Sequence, residues 1–285
     1  MPDISKLLPQ FQRASMIQNT HPGRKGRLLE IPSGDSILVA GDLHGQLDIL
    51  RRILLRADLG NHPKRHLLLQ EVIHGPNQYP DGSDKSHQAL DLVAALICQY
   101  PGRVHFLPGN HEFAQVHGRL IMKNDHFLNE AFIAGVRHAY ADRAEEVLDA
   151  YAVLIESSPL ALRTPNRVFL SHSLPKSSSM AQFSMKNFSL PELQKSDFGV
   201  GGMFYGLFWD RDTSEDNVNA FLEKADADWL ITGHIPCLDG YLQPSPRHII
   251  LDCHGFPAAI AVFPLDKEIG PEGIGAFVEV FKVAG

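Results

Sequence analysis

Apolar and polar positions fall into blocks along this chain, and the period changes from block to block. Residues 36–40 (Ser-Ile-Leu-Val-Ala) form a short apolar run bounded by turn residues, which predicts a buried strand. It leads straight into Gly41-Asp42-Leu43-His44-Gly45-Gln46. Residues 47–59 carry apolar side chains at helical spacing and stop at Gly60-Asn61-His62-Pro63. The pattern then repeats. Residues 66–69 read as a strand ending at Gln70-Glu71, and 75–85 as a polar loop. Residues 86–100 read as a helix carrying Ala89, Leu92, Val93, Leu96 and Ile97, closed by Pro101-Gly102. Residues 104–107 read as a strand that runs into Gly109-Asn110-His111-Glu112.

Further on, 124–156 has helical spacing, and 168–170 is a strand ending at Ser171-His172-Ser173. Residues 176–202, rich in Ser and Gly, read as a long loop of the kind that is often functional or mobile. A helix over 218–225 precedes a strand over 229–231 that ends at Thr232-Gly233-His234. Residues 248–251, 258–262 and 276–283 complete the strands. The first thirty-odd residues mix polar residues with Pro and Gly and read as an arm or first strand on the surface. The order βαβαβ followed by more strands predicts an α/β layered fold with one core. No boundary divides the chain, so the expectation is one domain over 1–285, with an N-terminal arm at 1–35.

Composition narrows the classes. The chain has 285 residues, enough to bury a large core without disulfide staples. Its net charge of −7 weakens any case for bulk nucleic-acid binding or for a polybasic membrane surface. The 3 cysteines, Cys98, Cys237 and Cys253, are too few and too widely spaced for a thiolate zinc site. The N-terminus lacks a basic start followed by an apolar core, and no apolar run reaches membrane-spanning length, so a soluble cytoplasmic protein is expected. The 15 histidines stand out in a chain of this charge.

Placement gives those histidines a purpose. Predicted strands end in residues able to bind a metal: Asp42 with His44, Glu71, Asn110 with His111, His172, and His234. Taken singly, each has an ordinary explanation as a turn former or a core histidine. In open α/β sheets, however, the carboxyl ends of strands converge on one crevice. Oxygen and imidazole donors without thiolate suit Mn, Fe, Zn, Ni or Co better than Ca. A close pair of such ions activates water and clamps a phosphoryl oxygen.

The segments Gly41–Gln46 (GDLHGQ), Gly109–Glu112 (GNHE), Ser171–Pro175 (SHSLP), Leu207–Asp212 (LFWDRD) and Thr232–Pro236 (TGHIP) occur in this order. Together they resemble the calcineurin-like metallophosphoesterases, specifically the phosphoprotein phosphatase branch, over about residues 36–263. The resemblance implies a metallophosphoesterase fold of two packed mixed sheets flanked by helices. It implies two divalent or trivalent ions, manganese foremost. Asp42 and His44 would hold one, and Asn110, His172 and His234 the other, with a carboxylate bridging them. His111 would protonate the leaving oxygen while a metal-bridging hydroxide attacks phosphorus, and the partner would be a phosphoester.

The middle motif departs from the family's Gly-Asp-x-x-Asp-Arg-Gly. The matching run is Gln70-Glu71-Val72-Ile73-His74-Gly75-Pro76. Glu71 takes the bridging position with one extra methylene. His74 stands where a carboxylate would orient the catalytic histidine, with Asp81 or Asp84 as possible replacements from the following loop. Gly75 stands where an arginine would grip phosphate, a loss worth about 1.5–3 kcal/mol of recognition. Arg211 is the nearest substitute, and His74 and Arg211 are the expected substrate contacts. The leading expectation is a serine/threonine phosphatase-like phosphoesterase. The alternatives are a small-molecule phosphoesterase, such as a dinucleoside polyphosphate hydrolase, and a catalytically weak metal-binding homologue with a regulatory role.

Overall fold

The computed structural model describes residues 3–123 and 125–282. Two mixed sheets form the centre. The five-stranded one runs in the order Val278–Phe281, Ala258–Pro264, Ser36–Asp42, Arg65–Gln70, Val104–Leu107, and its last three strands are parallel. The seven-stranded one runs Arg24–Lys25, Leu28–Glu30, Ala161–Arg163, Val168–Ser171, Trp229–Thr232, His248–Leu251, Tyr241–Ser245. Within it, Val168–Ser171, Trp229–Thr232 and His248–Leu251 are mutually parallel.

Alternation along the strands builds the layers. Ile37, Val39, Leu68 and Leu107 pack between the sheets against Leu170, Ile231, Ile249 and Leu251. Their neighbours Leu38, Ala40, Leu67, Leu69 and Phe106 point the other way and join Ile49, Ile53, Leu90 and Val93 of the helices Leu47–Ala57 and His87–Gln99. A strand covered on both faces is apolar at successive positions, which is why these runs were visible in the sequence.

Several segments differ from the sequence expectation. Residues 4–19 are a helix rather than an arm, capped by the Asp3 carboxylate accepting from Ser5 N. Pro9 suggests a break there. Burial of Leu7, Phe11 and Ala14 against the helices Ala144–Ser157 and His87–Gln99 overrides it, with the Phe11 ring edge-on to Tyr151 at 5.0 Å. The Leu28–Glu30 segment is a strand, parallel to Ala161–Arg163. The helical stretch expected over 124–156 is two helices, Leu128–Tyr140 and Ala144–Ser157, parted at Ala141, whose φ is 50°. The segment 176–202 holds short helical turns pinned by Phe183, Phe188 and Phe198. The last expected strand is a turn followed by Val278–Phe281. Asn124 and Val283, at the ends of expected elements, lie outside the described residues.

At the opposite end of the parallel strands lies a buried histidine pair. His66 donates from Nε2 to Ser33 O at 2.9 Å, so its Nδ1 accepts from His105 Nε2, also at 2.9 Å. Burial pushes both rings below their usual pKa, His105 strongly. Protons therefore prefer the unfolded chain. This contribution is full above the ordinary histidine value of 6.5 and is lost as pH falls below it. Each histidine kept neutral by folding should remove about 1.4 kcal/mol per pH unit in that range. Urea midpoints measured between pH 7 and pH 5 should fall steeply for the native chain and less steeply for His105→Gln, which can still donate to His66; equal slopes would refute the assignment.

Candidate metal centre

The carboxyl ends of the two parallel strand sets meet across the sandwich. Asp42 ends its strand, Glu71 follows Arg65–Gln70, and Asn110 opens the helix Asn110–His117 just beyond Val104–Leu107. From the other sheet, His172 follows Val168–Ser171 and His234 follows Trp229–Thr232. The backbone is forced at these points. His44, Glu71, His74 and His234 have φ of 43°, 32°, 60° and 68°, left-handed conformations costing about 1–3 kcal/mol each for non-glycine residues. Such strain persists only where surrounding contacts over-determine it.

Those contacts are present. The Glu112 carboxylate accepts from Val72 N at 2.7 Å, Ile73 N at 3.0 Å and Gly109 N at 2.8 Å, tying the turn after Glu71 to the helix start. Burial, and then Glu71 beside it, raise its pKa to about 7. His234 N donates to Asp42 at 2.7 Å, and His111 N donates to Glu71 at 2.9 Å.

The side chains then converge. His44 donates from Nδ1 to Ile73 O at 2.9 Å, which turns Nε2 toward Glu71 at 3.2 Å. Asn110 Oδ1 accepts from His172 Nε2 at 2.9 Å and from His234 Nδ1 at 2.8 Å. His172 also lies 3.5 Å from Glu71 and 3.6 Å from Asp42. Two sets of donor atoms fall close enough to share an ion: His44, Glu71 and His111, and Asp42, Glu71 and His172. Glu71 belongs to both. His172, expected beside Asn110 and His234, faces both that pair and Asp42.

A cation fits this set on the structure's own terms. Asp42 Oδ1 and His172 Nδ1 are buried, have no hydrogen-bond partner, and face each other. Buried polar atoms left this way are costly. Burial and the neighbouring Glu71 push the Asp42 carboxyl well above its usual range. Burial would raise Glu71 too, but His172, His111 and His44 hold it well below. Burial disfavours the charged His44 ring, yet Glu71 outweighs it and lifts the pKa to about 10. Burial and His172 depress His234 to about 3. This clash of directions is what crowded donors show when no ion neutralises them.

Asp42, His44, Glu71, Asn110, His111 and His234 floor a cavity of about 540 Å³, a size suited to a small ligand, with His172 buried behind it. Arg211 lines it, with Nε 3.2 Å from His234 Nε2. Gly75, Pro76 and Gln78 of the 75–85 loop, and Lys123 and His126 of the paired strands Met122–Lys123 and His126–Phe127, join the wall. Among the described residues, none of the lining comes from 176–202. His74 has no nitrogen left for a substrate, because Nδ1 meets His111 and Nε2 meets Gln115. Asp81 and Asp84 do not take over the orienting role. Asp81 pairs with Ser83 and His138, while Asp84 accepts from Ser86 and Gly75 N. Sequence reading missed Asp252, which also follows a strand, lines the cavity, and accepts from Cys237 N at 2.7 Å and His254 N at 2.9 Å.

These features gather candidate metal donors at one edge of a two-sheet sandwich. Residues 36–238 match the family model for calcineurin-like phosphoesterases, and the chain belongs to that family of hydrolases, whose members typically bind two metal ions. It is distantly similar to serine/threonine phosphatases. A probable serine/threonine-protein phosphatase from Encephalitozoon cuniculi is 22% identical over 270 residues, 89% of this chain and 52% of that one. The human serine/threonine-protein phosphatase with EF-hands 2 is 27% identical over 175 residues, 58% of this chain and 21% of that one. The chain thus spans about half or less of these relatives' lengths. Among solved structures, a Saccharomyces cerevisiae protein serine/threonine phosphatase superposes with a TM-score of 0.71 at 15% identity, covering 100% of this chain and 91% of that one. A cold-active protein-tyrosine phosphatase from Shewanella gives 0.59 at 14% identity, covering 87% and 78%. These likenesses confirm the expected fold of two mixed sheets with flanking helices. No helix among the described residues is long and apolar enough to cross a membrane.

The glycine of the GNHE segment makes the crowding testable. A Cβ on Gly109 would sit 2.2 Å from Glu71 Oε1 and 2.5 Å from its Cδ. Gly109→Ala should cost about 1–3 kcal/mol, the usual scale for overpacking. It should also displace Glu71, so metal content measured by mass spectrometry should drop relative to the native chain. Unchanged stability and metal content together would refute this account.

Proposed function

We propose that this chain is a metal-dependent phosphoesterase of the serine/threonine phosphatase type. The observation that carries the proposal is the unpartnered pair, Asp42 Oδ1 and His172 Nδ1, beside a carboxylate common to two donor sets. Asp42, His44, Glu71, Asn110, His172 and His234 would hold two ions, with Glu71 touching both. When bound, the ions supply Lewis acidity at a phosphoryl oxygen and a water nucleophile at neutral pH. Manganese is the proposed metal; the donors also suit Fe, Zn, Ni or Co.

The chain's own residues do the rest. The His111 ring reaches the cavity and donates a proton to the leaving oxygen, a role worth about 10²–10⁴ in rate. Arg211 offers its guanidinium to the phosphate from the cavity wall. The substrate is a phosphoester; a phosphoserine or phosphothreonine protein is the proposed class, supported by the named activity of the relatives. One observation favours a second reading, a metal-binding module of little activity: His74 supplies His111 with no negative charge. The same experiments separate the two.

Metal uptake tests the donor set. Glu71 lifts His44 to about 10, so it is charged near neutral pH, and burial pushes Asp42 toward its protonated form; a cation taking their lone pairs would displace protons. Manganese added to the metal-free chain at pH 7 should release protons in a pH-stat, and affinity should rise with pH. An absence of proton release would contradict the assignment. Activity tests the function. The manganese-loaded chain should hydrolyse p-nitrophenyl phosphate, and His111→Ala should lower kcat by about 10²–10⁴. Full metal loading with no turnover of aryl phosphate or phosphopeptide would favour the binding module.

A further inference from the structure

His74 is clamped from one helix. His111 and Gln115 stand i and i+4 on Asn110–His117, neighbours on one face, and the His74 ring sits between them. Its Nε2 is 3.0 Å from Gln115 Oε1 and its Nδ1 is 3.0 Å from His111 Nδ1. A carboxamide oxygen can only accept, so His74 carries its proton on Nε2. Its Nδ1 is then a lone pair, and the group facing it among the described residues is His111 Nδ1, which must therefore be the N–H donor. The assignment passes along the row and leaves His111 Nε2 as the nitrogen not engaged by His74.

The ring is held from its backbone as well. His74 N donates to Ser86 Oγ at 2.9 Å, and Ser86 Oγ donates to Asp84 at 2.8 Å. His74 is only 6% exposed and rests edge-on against Phe132 at 5.7 Å, so flipping it would leave buried nitrogens unpaired.

We propose that Gln115 is a positioning residue that, through His74, holds the Nδ1 proton of His111, so that the proton the imidazolium gives the leaving oxygen is the one on Nε2, and the Nδ1–H tautomer is what remains. This deepens the proposed phosphoesterase reading and rests on it. No charge is involved: an amide oxygen fixes direction where a carboxylate would fix direction and also stabilise the cation.

The test is a cycle of variants with two readouts. Zinc-loaded protein, labelled with ¹⁵N-histidine, reports the tautomers of His74 and His111 without reference to turnover. The native chain should show His74 protonated at Nε2 and His111 at Nδ1. Gln115→Leu should abolish that pattern, and Gln115→Glu, which keeps an acceptor, should preserve it. With p-nitrophenyl phosphate and manganese, Gln115→Leu should lower kcat by about 10–100-fold, the usual scale for a group behind a catalytic residue, with little change in KM. In a His74→Asp background the same substitution should cost about twofold or less, since aspartate needs no tautomer set. Two results overturn the proposal: native tautomers other than those stated, or equal kcat losses from Gln115→Leu in both backgrounds, which marks a merely structural role. If the native chain shows the stated tautomers but hydrolyses no phosphoester, the phosphoesterase reading fails while the tautomer relay stands.

Discussion

Two carboxylates, Asp42 and Glu71, are buried a few ångströms from each other's imidazole neighbours, and their mutual repulsion governs this end of the molecule. Neither can ionise freely beside the other in a medium that solvates charge poorly. Histidines relieve part of the repulsion, but only by becoming charged themselves, and burial opposes that for His172 and His234. The pushes on His44 upward and His234 downward are two faces of one unsolved balance. A pair of cations would solve it with fewer conflicts, because lone pairs given to an ion need no proton.

That balance explains features that would otherwise look like defects. Left-handed backbone at His44, Glu71, His74 and His234 costs stability. It turns side chains from two separate sheets toward one point. Gly109 is needed because the Glu71 carboxylate occupies the space a Cβ would fill. Glu112 spends a buried carboxyl on three backbone donors, locking the turn after Glu71 to the first turn of the next helix. The site is thus braced by main chain rather than by long side chains, which suits donors that must not drift.

Legibility in the sequence follows the same physics. Asp42, Glu71, Asn110, His172 and His234 could be found because parallel strands buried on both faces read as apolar runs, and whatever follows such a run lies at the sheet's carboxyl edge. Asp252 obeys the same rule after His248–Leu251, and a stricter application of it would have found that residue. The helix Ile4–Asn19 was hidden by Pro9 and by a face only part apolar; its stability comes from Phe11 and Leu7 meeting distant helices. Gln115 was invisible for a different reason. Its partner is 41 residues away in sequence, and the contact exists only because the 71–75 turn folds onto the Asn110–His117 helix. Substitutions such as His74 announce themselves as departures, but what compensates them is a matter of tertiary contact.

The altered middle motif bears on whether the site is decaying or rebuilt. Loss of a buried carboxylate without compensation leaves its former partners unpaired, and unpaired buried polar atoms accumulate in a site no longer under constraint. Here the row Gln115, His74, His111 is paired throughout, and the His74 backbone is tied through Ser86 to Asp84. Of the buried atoms without a partner, Asp42 Oδ1 and His172 Nδ1 lie where an ion would sit, while Gln70, beside Glu71 in the altered motif, leaves both of its side-chain atoms unpaired. A histidine in this place gives His111 direction without charge; burial holds the His111 ring well below its usual range, Glu71 is the neighbour that pulls it back up, and Glu71 belongs to both donor sets. The proposed acid and the proposed grip on metal would thereby be coupled through one side chain: a shift of Glu71 toward bound ions would take away the contact that raises His111 and leave less of the ring protonated.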